Sequence, residues 1–551
     1  QQLVKNALLT PEKTLTRKTR EIILAFLVEN RFSKEEILEM YLNEISYGGT
    51  AYGIEAASQF YFGKSCRDLS LSEAAFLAGL PASPTTFSPF GAYPHMAKIR
   101  QEEVLRRMRE EGFINDDQFK KAKSEELKLN LPREEILAPH FVMFVRDELT
   151  KLFPPRLIEE GGLQVKTTLD LEIQKKAEII VAEEVKKIKA YQAENGAALV
   201  TNPKTGEILA MVGSRDYFDQ EIEGNFNVTT ALRQPGSAIK VVNYALALQN
   251  GYTLATIIPD TPVAYQLAGS PPYSPQNYDG RFHGPVTLRT ALASSYNVPA
   301  VKVLASLGPE KMAQLGREMG ITTWDDPSRF GLSLTLGGVE VKMTDLAVVY
   351  GVLANSGKKT PLQTIIEVSD SSGKILWHNP CLVLPQEASS NFNKKISFFP
   401  AVEAQEPACQ NQVIPAGVAF LLTDVLADNS ARQPAFGANS LLYIPGQTVA
   451  VKTGTSNNLR DNWAIGYTHD FLVAAWVGNN DNQPMKKIAS GVTGATPIWR
   501  QITDFLLEKY PSSPFLPPPG VVKKKVCQQI DREKNICLKE REEWFLEERH
   551  E

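Results

Sequence analysis

Cysteine and histidine are scarce in this chain of 551 residues, which contains five cysteines and six histidines. No C-x-x-C pair occurs and no histidine stands directly beside a cysteine, so the spacing of a zinc site is absent. Cys66, Cys381 and Cys409 are scattered, whereas Cys527 and Cys537 lie close together in the tail. We expect these last two to form a disulfide in an oxidising compartment, the alternative being idle thiols.

The chain also lacks a long apolar run and an excess of positive charge. Its longest apolar pieces are short ones such as "FLVAAWVG" at 471–478, below the roughly 18 to 20 residues of a membrane-spanning helix. A formal net charge of -4 gives no general basic field, so no nucleic acid partner is predicted. Because the chain begins "QQLVKNALL" without methionine, we expect a missing N-terminal segment.

Two kinds of sequence pattern divide the chain. Residues 1–125 have helical periodicity, with Ile22, Ile23, Phe26 and Leu27 on one face of the first helix. Capping boxes predict two further helix starts. They are Ser33 with Glu36 and Ser70 with Glu73.

Strand patterns begin after a charged junction at 126–190, which itself contains an amphipathic helix. In 191–509, strand-like segments lie at both ends with helical stretches between them, which predicts one α+β domain. Residues 510–551 read as a Pro-rich linker and tail.

The segment "RQPGSAIK" at 233–240 places a serine three residues before a lysine at a predicted helix start. Neighbours at i and i+3 on a helix lie about 5 to 6 Å apart between Cβ atoms, so the amine can reach the hydroxyl. Two rival S-x-x-K pairs fall in Gly-containing turns. The three pairs are Ser237 with Lys240, Ser356 with Lys359, and Ser371 with Lys374.

A lysine acts as a base only when burial or a nearby cation lowers its pKa, so a second cation is expected. The fragment "SSYN" supplies Ser295 and Asn297, and "VAVKTGTSNN" supplies Lys452. Another K-T-G, at 204–206, occupies the turn of a predicted hairpin and is set aside. Taken singly, these residues have ordinary alternatives, namely a helix cap for Ser237, a turn residue for Asn297 and a solvated edge charge for Lys452.

The ordered motifs S-x-x-K, S-x-N and K-T-G resemble those of the penicillin-binding proteins and β-lactamases. Over nearly its whole length, the chain resembles the class A, bifunctional penicillin-binding proteins. The resemblance implies that Ser237 attacks the D-Ala-D-Ala carbonyl of a peptidoglycan stem peptide and that Lys240 is its base. Ser295 would relay the proton, Asn297 would hold the substrate amide, and Lys452 would lower the pKa of the site.

The K-T-G strand is expected to bind the substrate. By resemblance, Thr453 and Thr455 would hold the terminal carboxylate, and the backbone N–H groups of Ser237 and Thr455 would form the oxyanion hole. Gly454 would let a peptide approach the strand closely. Val241 departs from the proline that is common in the family after the lysine.

The first 43 residues resemble the second half of a family 51 glycosyltransferase domain, which polymerises lipid II. The matching segments are "QQ" at 1–2, "RKTRE" at 17–21 and "KEEILEMYLN" at 34–43. Glu21 would be the second carboxylate; its alternative is an acidic residue in a first helical turn. The family's principal base is a glutamate that precedes the motif ending in "QQ", and it is not among these 551 residues. A basic patch for a pyrophosphate leaving group would comprise Lys5, Lys13, Arg17 and Lys18.

The resemblance implies a multidomain fold, with an α-helical lysozyme-like glycosyltransferase part and an α+β, β-lactamase-like serine transpeptidase domain containing an antiparallel sheet. It implies a bifunctional cell-wall enzyme on the extracytoplasmic face of the bacterial membrane, anchored by the missing segment. Expected partners are lipid II, stem peptides and β-lactams as covalent inhibitors. No cofactor is expected for transpeptidation, and Mg²⁺ is implied for glycosyl transfer. The alternatives left open are a D,D-carboxypeptidase or β-lactamase, and a non-catalytic β-lactam sensor.

Overall fold

A computed structural model of the chain divides into two compact units, residues 1–136 and 137–551. The structure describes residues 2–4, 15–48, 51–84, 86–89, 95–129, 136–160, 162–267, 270–370, 373–382, 409–486, 493–531 and 536–547.

The first unit is helical in its described part. Both predicted capping boxes are confirmed, because Ser33 and Ser70 each accept from the third backbone amide of a helix whose glutamate bonds back. Tyr61 and Phe76 lie in its core and meet edge to face. The helices are α1 (Leu15–Arg31), α2 (Lys34–Glu44), α3 (Ile54–Phe62), α4 (Leu71–Gly79), α5 (His95–Glu110) and α6 (Asp116–Ser124).

The apolar face predicted for α1 forms, but its side chains remain in contact with solvent. Ile22, Ile23, Phe26 and Leu27 are between 51% and 66% exposed. The periodicity therefore identified the helix without identifying a buried face.

The second unit is built around a five-stranded antiparallel sheet. Its order is β12-β13-β14-β2-β3, so the strands that begin the domain pair with those near its end. The sheet strands are β2 (Asn195–Thr201), β3 (Ile208–Val212), β12 (Ala450–Thr455), β13 (Asp461–Tyr467) and β14 (Leu472–Gly478). This arrangement agrees with the α+β prediction.

Both faces of the sheet are covered by helices, which explains the unbroken apolar sequence of its central strands. Along β14, Leu472, Ala474 and Trp476 enter one core, whereas Val473 and Ala475 enter the other. Helices α9 (Leu171–Ile188) and α17 (Ala495–Lys509) cover the second face. The first face is covered by α10 (Lys240–Gln249), α14 (Met343–Ala354) and α15 (Ala416–Ala427).

The remaining elements of this unit surround that central layer. Its other helices are α7 (Pro139–Leu152), α8 (Pro155–Glu160), α11 (Leu288–Ala293), α12 (Asn297–Leu307), α13 (Pro309–Met319) and α16 (Asn429–Phe436). Its other strands are β1 (Gln164–Thr167), β4 (Ile257–Asp260), β5 (Tyr265–Leu267), β6 (Ser270–Tyr273), β7 (Gly284–Thr287), β8 (Lys358–Lys359), β9 (Ile365–Ser369), β10 (Ile375–His378) and β11 (Asn411–Gln412).

The tail forms a hairpin of β15 (Val521–Asp531) and β16 (Ile536–Leu546). Trp544 and Leu546 pack against the core on the first face of the sheet, and the Trp544 ring meets Phe420 edge to face. The residues after the Pro-rich segment are thus part of the second unit.

The cysteines differ from the sequence prediction in one respect. Cys381 and Cys409, for which no pairing was predicted, form a disulfide with a Cα to Cα distance of 5.2 Å. Their separation of 28 residues gave no local signal for the pairing. Cys527 is disulfide-bonded, and the side chain of Cys537 lies outside the described residues, so that predicted pairing stays a prediction.

Candidate active site

Ser237 lies in a short 3₁₀ turn, Gly236–Ile239, that leads directly into α10. The preceding Gly236 has φ +54°, a conformation that favours glycine. A Cβ at this position would lie 2.3 Å from the carbonyl oxygen of Thr455. Glycine therefore lets the serine turn approach the K-T-G strand β12.

Gly454 on β12 also lies close to the backbone of the serine turn. A Cβ on Gly454 would lie 2.3 Å from the oxygen of Pro235 and 2.9 Å from the amide nitrogen of Ala238. The indole of Trp463, on the neighbouring strand, donates to the carbonyl of Gln234 at 2.9 Å. These contacts bring the backbone of Thr455 beside Ser237, where the oxyanion hole was predicted.

Lys240 is fully buried, and its Nζ donates three hydrogen bonds to the segment 295–297. The acceptors are the Ser295 oxygen at 2.7 Å, the Tyr296 oxygen at 3.1 Å and Asn297 Oδ1 at 2.7 Å. Burial, with a contribution from the charge of Lys452, holds the pKa of Lys240 well below its usual range. The amine thus joins two of the predicted motifs, although it bonds to carbonyl oxygens and not to the Ser237 hydroxyl.

Lys452 is the second buried amine of the site. Its Nζ donates to Ser295 Oγ at 2.7 Å and to the Thr453 oxygen at 2.8 Å. Burial and the positive charge of Arg432 lower the pKa of Lys452 to about 7. The structure therefore places two lysines with lowered pKa against the segment 295–297.

The S-x-N loop is held by a residue that the sequence analysis missed. Asn277 Oδ1 accepts from the backbone amides of Asn297 at 2.8 Å and Val298 at 3.2 Å. Its Nδ2 donates to both carboxylate oxygens of Asp260, which is fully buried. Asn277 therefore positions Asn297 from a segment 20 residues earlier.

His283 and Tyr296 also contribute to holding the S-x-N loop. His283 Nδ1 lies 2.7 Å from Asp260 Oδ2, and its ring stacks on Tyr296 at a centroid distance of 4.0 Å. Ser295 itself has φ +60°, an uncommon conformation for serine. Backbone strain of this kind persists only where surrounding contacts fix it.

The predicted substrate-binding threonines lie at the end of β12. Thr453 is almost completely buried, whereas Thr455 is partly exposed and accepts a hydrogen bond from Asn462 Nδ2 at 3.2 Å. Asn297 Nδ2, assigned to the substrate amide, donates here to the Gln276 oxygen at 2.8 Å.

The rival motifs lie elsewhere. Lys204 is 53% exposed in the turn between β2 and β3 and pairs with Asp470. Ser356 has φ +52° in a turn before β8, and Ser371 lies outside the described residues. Among the described residues, Ser237 with Lys240 is the S-x-x-K pair that meets the S-x-N and K-T-G motifs.

Comparisons with known proteins identify the family of each domain. The family described as "Transglycosylase" matches residues 1–109, and "Penicillin binding protein transpeptidase domain" matches 196–504. "Penicillin-binding protein 2D" of Bacillus subtilis is 33% identical over 95% of this chain and 71% of its own length. The chain belongs to the class A penicillin-binding proteins. It is a bifunctional peptidoglycan synthase, and the hydrolase and sensor alternatives are not favoured.

Further relatives of this penicillin-binding protein cover most of both chains. "Penicillin-binding protein 1A" of Aquifex aeolicus is 30% identical over 95% of this chain and 78% of its own length. The crystal structure of penicillin-binding protein 1A from Haemophilus influenzae matches with a TM-score of 0.64 and 24% identity. That match covers 98% of this chain and 94% of the other, and it supports the fold.

In the transglycosylase region of this penicillin-binding protein, Glu21 is 3% exposed and pairs with Lys18 Nζ at 2.6 Å. Because α1 begins at Leu15, Glu21 lies in its second turn, so the first-turn explanation for this residue is wrong. Lys5 and Lys13 lie outside the described residues, as does the side chain of Arg17, and the predicted basic patch stays a prediction.

The described part of this penicillin-binding protein contains no group of three or more His, Cys, Asp or Glu that could hold a metal ion. The Mg²⁺ implied for glycosyl transfer stays a prediction. Within the same residues, no helix is both long and apolar enough to span a membrane.

Proposed function

We propose that Ser237 is the nucleophile of D-Ala-D-Ala transpeptidation, with Lys240 as its general base. The main support for this proposal is that two buried lysines both donate hydrogen bonds to the segment that contains Ser295 and Asn297. A lysine with a lowered pKa can accept a proton near neutral pH. Lys240 would have to exchange one carbonyl contact for the Ser237 hydroxyl when substrate enters, as catalytic hydrogen bonds often tighten only in the complex.

In the first half-reaction, Ser237 Oγ forms a bond to the carbonyl carbon of the penultimate D-Ala while Lys240 takes the hydroxyl proton. The oxyanion develops beside the backbone amides of Ser237 and Thr455. The peptide C–N bond then breaks, and the proton that Lys240 accepted passes to the leaving amine of the terminal D-Ala through Ser295, whose hydroxyl accepts from Lys452. The hydroxyls of Thr453 and Thr455 bind the departing carboxylate.

In the second half-reaction, an amine of another stem peptide attacks the acyl-enzyme. The C–N cross-link forms, the ester bond to Ser237 breaks, and the amine's proton returns to the serine oxygen through Lys240. A β-lactam enters the first half-reaction in the same way, but its leaving group stays attached to the acyl-enzyme.

For the other domain, we propose that it polymerises lipid II, with Glu21 as a carboxylate of the donor site. The burial of Glu21 and its pairing with Lys18 support this role. In the native protein, Glu21→Gln should abolish lipid II polymerisation, whereas Glu36→Gln, which alters only a helix cap, should retain it. Equal polymerisation by the two variants would contradict the role. The Mg²⁺ requirement stays a prediction, and no step is assigned to a metal.

We also propose that the catalytic domains lie on the extracytoplasmic side of a bacterial membrane. The Cys381 to Cys409 disulfide supports this, since disulfides persist in oxidising compartments.

The transpeptidase proposal is tested by peptide mapping after treatment with a penicillin. The expected result is one ester adduct, on Ser237. An adduct on Ser356 or Ser371 would overturn the assignment, and so would a protein that forms no adduct.

A further inference from the structure

The C-terminal hairpin carries a buried carboxylate that reaches toward the active-site loop. Glu543 lies on β16 and is only 3% exposed, although glutamate is rarely buried without a partner. Its two oxygens accept from Arg289, at 2.8 Å from Nε and 2.5 Å from Nη2. Such a bidentate pair fixes both orientation and distance.

Arg289 lies in α11, the short helix that ends immediately before Ser294 and Ser295. It is also 3% exposed, and it contacts two further carboxylates, Asp424 at 2.5 Å and Asp428 at 3.0 Å. Burial opposes its charge, but the hydrogen bonds and charges of Glu543 and Asp424 raise the pKa of Arg289. The guanidinium thus joins α11 to the tail and to the end of α15.

The contacts continue from Asp428 to the catalytic loop. Asp428 Oδ1 caps α16 by accepting from the Ala431 amide at 3.0 Å. The carbonyl of Ala431 in turn accepts from Ser294 Oγ at 3.1 Å. The next residue is Ser295, whose hydroxyl accepts from Lys452.

We infer that Glu543 of the C-terminal hairpin is a positioning residue for transpeptidation, acting through Arg289 and α11 on Ser295. The inference rests on the proposed function of Ser237 and its loop. The hairpin is also held in place by Trp544 against Phe420 and by Leu546, which packs against the same core. Removing the charge of Glu543 therefore disturbs Arg289 while the hairpin stays docked.

The test uses Glu543→Gln and the matched control Glu542→Gln. Glu542 lies one residue earlier on the same strand, and its side chain is 62% exposed beside Lys523. Both variants remove one negative charge from β16, but only the first removes the partner of a buried arginine. Stopped-flow acylation by a fluorescent penicillin separates the binding constant from the acylation rate constant. Titration with the same penicillin gives the active fraction.

Glu543→Gln should lower the acylation rate constant per active site about tenfold, since small displacements of catalytic groups have effects of this size or larger. Its binding constant should change little, and Glu542→Gln should match the unmodified protein. Glu543→Asp, which keeps a carboxylate for Arg289, should recover part of the rate.

An unchanged rate constant per active site in Glu543→Gln would overturn the inference, even if fewer molecules were active, because the hairpin would then contribute only to folding. If Glu543→Gln does not fold, Glu543→Asp decides in its place. Its shorter side chain cannot reach Arg289 with both oxygens at the same distances, so an unchanged acylation rate constant in that variant would contradict the role. Failure of the unmodified protein to be acylated would instead contradict the proposed function itself.

Discussion

At the scale of single residues, the site depends on two amines that are buried without a carboxylate among their hydrogen-bond partners. Lys240 and Lys452 bond to carbonyl and hydroxyl oxygens of 295–297 and 453. Such surroundings favour the neutral amine, because burying a charge costs more than burying a neutral group. The same burial that lowers the pKa of Lys240 makes the folded protein less stable at low pH.

Lys240→Ala should slow acylation by a penicillin by roughly 10² to 10⁴, the usual contribution of a general base. Lys359→Ala, from a rival pair beside a surface turn, is the control and should acylate normally. Stopped-flow fluorescence measures both rates. Unchanged acylation in Lys240→Ala would remove this lysine from the mechanism.

Lys452→Met should unfold at a higher temperature than the unmodified protein near pH 7. In the folded protein the pKa of Lys452 is about 7, whereas an unfolded lysine has a pKa of about 10.4. Between these values the unfolded chain binds more protons, so stability of the unmodified protein rises with pH. The advantage of Lys452→Met should therefore be largest below pH 7 and should shrink toward pH 10.

Thermal unfolding from pH 6 to 10 measures this advantage, with the exposed Lys204→Met as control. A difference between Lys452→Met and the unmodified protein that stays constant across this range would contradict the lowered pKa. A similar pH trend in Lys204→Met would show that the effect is not specific to the buried amine.

At the scale of elements, the serine turn and β12 must approach more closely than side chains would allow. Gly236 has φ +54° and faces the backbone of Thr455, so alanine there meets both strain and a backbone clash. Gly251 provides a matched comparison, because it has φ +88° but nothing within 4 Å of its Cβ position.

Gly251→Ala should lose about 1 to 2 kcal/mol of stability from the left-handed conformation alone. Gly236→Ala should lose more and should also lose most of its penicillin acylation, because the turn must move away from Thr455. Chemical denaturation and acylation assays measure the two effects. Equal losses in the two variants would show that the close approach does not matter for the site.

Helices and strands that are marked by local sequence patterns could be predicted from the sequence. Capping boxes gave the starts of two helices, and apolar strand patterns gave the hairpins of the central sheet. The three motifs meet in the structure. Ser237 lies in the turn before α10, the S-x-N segment connects α11 with α12, and Lys452 lies on the edge strand β12. Asn277, Asp260 and Glu543 were missed, since their partners lie between 17 and 254 residues away and no local spacing marks them.

At the scale of the whole molecule, the second unit is held by distant pairings as well as by its core. The Cys381 to Cys409 disulfide closes a loop with a separation of 28 residues. Its removal should lower the free energy of unfolding by about 3.6 kcal/mol according to the chain-entropy model. It lies outside the contacts of the two catalytic lysines.

The double variant Cys381→Ser, Cys409→Ser should therefore unfold at a lower temperature but keep its acylation rate at 25 °C. Cys66→Ser, which removes a free cysteine, should change neither property. Calorimetry and fluorescent-penicillin labelling measure the outcomes. A double variant as stable as the unmodified protein would contradict the bond's contribution.

We propose that this class A penicillin-binding protein cross-links peptides through an acyl-enzyme on Ser237. The most direct measurement incubates the protein with a D-Ala-D-Ala stem peptide and an amine acceptor and identifies the products by mass spectrometry. We predict a cross-linked peptide with loss of D-Ala, and no product from Ser237→Ala. Hydrolysed peptide without cross-link, or the same products from Ser237→Ala, would contradict the account.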